Sequence, residues 1–64
     1  MEMNKIAEVL KKWGAEQRFQ TNHGEEVYVR YIDGKYVGQT FGNGPMENEF
    51  DKFSELVEWF GLKI

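Results

Sequence analysis

No cysteine occurs anywhere in the chain. Its absence excludes a disulfide scaffold, a Cys-ligated zinc or iron–sulfur centre and a thiol nucleophile. Histidine and serine each occur once, as His23 and Ser54. A single imidazole in a turn and a single hydroxymethyl on a helix do not make a nucleophile–base–orienter set, so no enzyme is expected. No apolar run exceeds a few residues, so nothing reads as a membrane span. Met1-Glu2-Met3-Asn4 lacks the cationic start and the stretch of about 7–15 apolar residues that mark a signal peptide. A cytoplasmic protein is expected. Cations are outnumbered, with 8 Lys and Arg against 11 Asp and Glu. That balance disfavours nucleic acid, because phosphate binding needs lysines and arginines to displace counterions. At 64 residues the chain 1–64 is one domain, and a domain of this size hides only about 60% of the surface of its unfolded chain.

What is present reads as helix, three strands, helix. Met3, Ile6, Val9, Leu10 and Trp13 recur on one helical face over 5–13, with Asn4 as N-cap and Gly14 as terminator. A second helix is expected over 46–60. There Phe50, Phe53, Leu56, Val57 and Phe60 share an arc of about 120°. Pro45 suits its first turn and Gly61 its end, where Leu62 can fold back on Val57. Three extended segments lie between the helices, near 16–21, 26–32 and 35–41. Ile32-Asp33-Gly34-Lys35 is a two-residue type I′ hairpin signature, because both central residues need positive φ.

That turn fixes the register: Tyr31 faces Tyr36, Arg30 faces Val37 and Tyr28 faces Gln39. One face then carries Val27, Val29, Tyr31, Tyr36, Gly38 and Thr40, without charge. The other carries Tyr28, Arg30, Ile32, Lys35, Val37, Gln39 and Phe41. A buried unpaired Arg30 or Lys35 costs several kcal/mol, on the order of the penalty for any uncompensated charge. The uncharged face therefore belongs under the helices, and Gly38 lets a helix come close. The expected fold is α+β: a two-layer α-β-β-β-α sandwich, with a three-stranded antiparallel sheet and both helices on one face.

The open face is the sharper of two binding signals. Tyr28, Arg30, Ile32, Val37 and Phe41 are more apolar than a small monomer needs to display, and Tyr and Arg are enriched at interface hot spots. The second signal is an acidic stripe, Glu47, Asp51, Glu55 and Glu58, on the outer side of the second helix. It is suited to a basic groove on a partner or to imitating a row of phosphates. Residues 45–64 hold five acids against Lys52 and Lys63, which is the whole acidic excess. Gly42-Asn43-Gly44-Pro45 reads as a plain loop, since it lacks the Gly-Lys-Ser/Thr ending of a phosphate loop. No metal or cofactor is expected.

The stretch Tyr31-Ile32-Asp33-Gly34-Lys35-Tyr36-Val37-Gly38-Gln39-Thr40-Phe41-Gly42 resembles the second hairpin of double-stranded-RNA-binding domains. The resemblance implies the same α-β-β-β-α order. It also implies Ile32 and Val37 turned inward, against the face assignment above. That family binds RNA through a lysine-rich start of its last helix. Here the corresponding stretch is Pro45-Met46-Glu47-Asn48-Glu49-Phe50-Asp51-Lys52, with the charge reversed, so the resemblance carries shape rather than activity. In size, acidity and layout the chain is also similar to small phage and mobile-element proteins that block host defence, including some anti-CRISPR inhibitors. The function these readings favour is a non-enzymatic protein-binding inhibitor or adaptor. Homo-oligomerisation through the same sheet face is a further expectation. The alternative is a nucleic-acid module using Lys5, Lys11, Lys12, Arg18 and Lys35.

Overall fold

A computed structural model describes residues 3–41 and 45–64. The order of elements is α1 (Met3–Trp13), β1 (Gln17–Gln20), β2 (Glu26–Ile32), β3 (Lys35–Thr40), β4 (Met46–Phe50) and α2 (Phe53–Phe60). The strands form one antiparallel sheet in the order β1-β2-β3-β4. The α+β class, the antiparallel sheet and the two helices are as expected. The sheet has four strands rather than three.

The fourth strand replaces the first half of the expected second helix, which begins only at Phe53. Met46-Glu47-Asn48-Glu49-Phe50 alternates as well as it spirals. As a strand it pairs Phe50 with Tyr36, Asn48 with Gly38 and Met46 with Thr40. Its backbone satisfies the outer edge of β3, whose N–H and C=O groups otherwise lack partners. A 46–50 helical turn would hold Met46 and Phe50 as its apolar residues and leave that edge open. Pro45 accordingly leads into a strand, while Gly42, Asn43 and Gly44 lie outside the described residues. At the N-terminus α1 already includes Met3, so Asn4 is a helical residue rather than the N-cap.

The β2–β3 hairpin keeps its expected register from Val27↔Thr40 to Ile32↔Lys35. Asp33 and Gly34 have φ of 50° and 80°, the two left-handed residues a type I′ turn requires. The β1–β2 turn is organised by Thr21, whose Oγ1 accepts the backbone N–H of His23 (3.2 Å) and of Glu25 (3.1 Å).

Both helices lie on one face of the sheet. Leu10 from α1, Val27, Val29 and Tyr36 from the sheet, Phe53 and Leu56 from α2, and Leu62 form the core. Helix α1 crosses β2 and helix α2 crosses β3 and β4. Gly38 is the point of closest approach: a Cβ there would sit 2.4 Å from Phe60 Cε2. The Tyr36 hydroxyl donates to the Ala7 carbonyl at 3.4 Å, tying the sheet to α1. Helix α2 ends at Gly61 in the left-handed region, with Leu62 N–H donating to Val57 O (2.9 Å). Leu62 then enters the core, and Lys63 N–H donates to Gln20 O (2.7 Å). The C-terminal segment thus covers part of the β1 edge.

Candidate functional site

Strand alternation sends every second side chain away from the helices. On that open side, register aligns three rows across the sheet: Arg18–Tyr28–Gln39–Glu47, Arg30–Val37–Glu49, and Ile32–Lys35. The expected contact residues Tyr28, Arg30, Ile32, Val37 and Phe41 all belong to this side. Ile32 and Phe41 are 37% and 56% exposed. The hairpin resemblance's inward Ile32 and Val37 are not found. Their register partners Arg30 and Lys35 share the outer side, and that side is the one without helices.

An aromatic pair marks one end of the face, with Tyr28 and Phe41 ring centroids 6.3 Å apart. The Tyr28 hydroxyl donates to Glu26 Oε2 at 3.0 Å. That hydrogen bond, followed by the charge of the same carboxylate, holds the Tyr28 phenol above its ordinary value of 10.0. Glu26 also meets Arg18 at 3.8 Å. Near the hairpin end, Arg30, Ile32, Val37, Lys35, Glu47 and Glu49 border an open groove of about 460 Å³. Lys35 forms an exposed ion pair with Asp51. The hydrogen bond and charge of Asp51 raise the Lys35 ammonium above its ordinary 10.5. Among the described residues, Arg30, Glu47 and Glu49 have no oppositely charged group within ion-pair distance.

The acidic stripe does not exist as one helical surface. Glu47 is on β4, facing the open side of the sheet, because residues 46–50 are a strand. Asp51 sits in the bend before α2, held to Lys35. Glu55 is spent locally: its Oε1 accepts the Lys52 backbone N–H at 3.2 Å and caps the helix start. Glu58 remains exposed on α2, beside Trp59. Two of the four acids thus have structural partners, and a third has moved to the other side of the molecule.

Sequence reasoning missed Glu49 as a member of the open face and placed Glu47 on the wrong element. The signal that finds both is the alternation of Met46, Asn48 and Phe50 with the two glutamates. Trp59, half exposed, packs edge-on against Phe60 (4.8 Å) and near Phe50 (5.9 Å), closing the outer end of the core. His23 is exposed in the β1–β2 turn and Ser54 is exposed on α2. Among the described residues no three His, Asp or Glu side chains are grouped to hold a metal. No helix among them is long and apolar enough to cross a membrane. No family model matches the chain, and no curated protein or solved structure matches it.

Proposed function

We propose that this protein is a non-enzymatic binding protein, acting in the cytoplasm, that holds another protein chain against its open sheet face. The observation that carries the reading is the contrast within one sheet. Large apolar and aromatic side chains, Tyr28, Ile32, Val37 and Phe41, stand on the side without helices, next to an Arg30 guanidinium that has no carboxylate partner among the described residues. Anchors of this kind, a few aromatics and an arginine framed by polar groups, are what interfaces concentrate. A turn histidine, one exposed serine and no cysteine supply no set of groups for nucleophilic or acid–base chemistry. The most concrete form of the role is an inhibitor or adaptor of a host defence protein, encoded by a phage or mobile element. Small size and net acidity support that form.

The test is capture of proteins from a cell lysate by the wild type and by two variants. Tyr28→Ala/Phe41→Ala is expected to lose the captured partner while keeping its circular dichroism. Trp59→Ala, on the opposite layer, is expected to keep the partner. Equal capture by all three removes the open face from the account. Salt-dependent retention of duplex RNA at micromolar protein, with no protein captured, replaces the reading with the nucleic-acid module.

A further inference from the structure

The two edges of the sheet are finished differently. At the β1 edge the C-terminal segment is already seated: Lys63 N–H donates to Gln20 O (2.7 Å) and Leu62 pairs with Thr21. At the β4 edge no described residue pairs with the strand. The two-residue turn makes Ile32↔Lys35 a hydrogen-bonded pair, and alternation then turns the backbone groups of Tyr36, Gly38 and Thr40 toward β4. The backbone groups of Glu47 and Glu49 are left pointing outward. The Glu49 N–H accordingly donates to a side chain, Asn48 Oδ1 at 2.9 Å, rather than to a strand.

That edge is acidic on both sides and aromatic on one. Glu47 and Glu49 are exposed on the open side of the sheet. On the helix side, Phe50 and the half-exposed Trp59, with ring centroids 5.9 Å apart, line an open groove of about 420 Å³ together with Glu55 and Glu58. Residues 46–60 hold five acids against Lys52 alone. Lys35, on the next strand, is held by Asp51. A second β4 paired at this edge sets glutamate against glutamate, whereas a cationic strand meets opposite charge at each step.

We propose that the β4 edge takes an extended basic segment of a partner protein, added antiparallel to the sheet as a fifth strand. Its residues opposite Glu47 and Glu49 turn to the open side, where arginine or lysine meets the two carboxylates across the strands. Its alternate residues turn to the helix side. The one opposite Phe50 enters the groove, where an arginine lays its stem along Phe50 and its guanidinium over Trp59, between Glu55 and Glu58. A carbonyl of the incoming strand takes the Glu49 N–H from Asn48. Only two residues of β4 offer outward backbone groups, so charge supplies much of the affinity and binding weakens with salt. This site is separate from the open-face reading and does not rest on it.

Titration of the isotope-labelled full chain with synthetic peptides of about six residues, an ordinary strand length, tests the proposal. The first peptide is Val-Arg-Arg-Val-Arg-Val with blocked ends. The second is the same peptide N-methylated at its last two arginines, the residues whose N–H groups face β4. The third has glutamate in place of every arginine. The first is expected to bind below about 1 mM, the weak end of specific recognition, and to shift the Glu47 and Glu49 amides most. The methylated peptide is expected to bind about tenfold more weakly, having lost its donors. The glutamate peptide is expected not to bind. Glu47→Lys/Glu49→Lys should weaken the first peptide by about tenfold or more. Trp59→Ala should weaken it by about threefold. Tyr28→Ala/Phe41→Ala should bind it as the wild type does. No binding of the first peptide, equal binding of the methylated one, or shifts centred on the β1 edge overturns the inference. Shifts of Glu47 and Glu49 that follow protein concentration without peptide make a second copy the occupant and overturn it too. Edge binding that persists when lysate capture proves independent of Tyr28 and Phe41 supports this site while the open-face reading falls. Face-dependent capture without edge binding overturns this site alone.

Discussion

The two faces of the sheet are made from the same strands with the same alternation, yet they differ in what they tolerate. Val27 and Val29 are fully buried, and the buried Thr40 hydroxyl donates to Glu26 O at 2.8 Å. One residue along, Tyr28, Arg30 and Gln39 point the other way and remain open or half open. The covered face is apolar with its few polar atoms satisfied: no buried side-chain N or O atom among the described residues lacks a partner. The open face is neither a solvated polar surface nor a second core. It mixes aromatics and β-branched residues with charges of both signs. The difference teaches that burial is decided here by the cost of unpaired charge.

Substitutions on the two faces should separate stability from binding. The largest effect is expected for Leu56→Ala, which empties a fully buried position and should cost about 2–5 kcal/mol by urea denaturation. A chain this small has little more than that to lose. Gly38→Val should cost about 1–3 kcal/mol, because its side chain collides with the Phe60 ring packed against Phe50 and Trp59. Its neighbour Gln39→Ala, pointing to the open side, should stay within about 0.5 kcal/mol. If those two variants have equal midpoints, the assignment of faces is wrong.

The smallest effect concerns pH. Lys35 and Tyr28 both titrate higher in the folded chain, through Asp51 and Glu26 respectively. Folding favours the protonated form of each. Their contribution is therefore complete below the ordinary values of 10.5 and 10.0 and disappears as pH rises through the raised ones. Melting temperature should fall slightly as pH rises above about 10, where the window set by those values opens. Asp51→Asn should remove the part due to Lys35. Both pairs are solvent-exposed, so the slope is shallow.

Much of the fold is legible from single residues. Asp33-Gly34 sets the hairpin register, and register together with the cost of burying Arg30 or Lys35 sets the covered face. Gly38 and Gly61 announce a close approach and a helix end. The stretch 46–50 is where the reading fails. A window that contains Phe50 at both helical and strand spacing is ambiguous on periodicity alone. What decides it is not local: the exposed backbone of β3 needs a partner, and Phe50 gains a place beside Tyr36. The candidate site inherits the same split. Its apolar half, on the hairpin, follows from the Asp-Gly turn. Its acidic half, Glu47 and Glu49, depends on a strand pairing that only the assembled sheet reveals.

The absence of native cysteine makes the central claim directly measurable with a single nitroxide label. Gln39→Cys places the label in the middle of the open face, and Glu8→Cys places one on the outer side of α1. If the open face is the docking surface, the spectrum from position 39 loses mobility when the protein captured from lysate is added, while position 8 does not change. Identical, mobile spectra from both positions with and without that protein contradict the account.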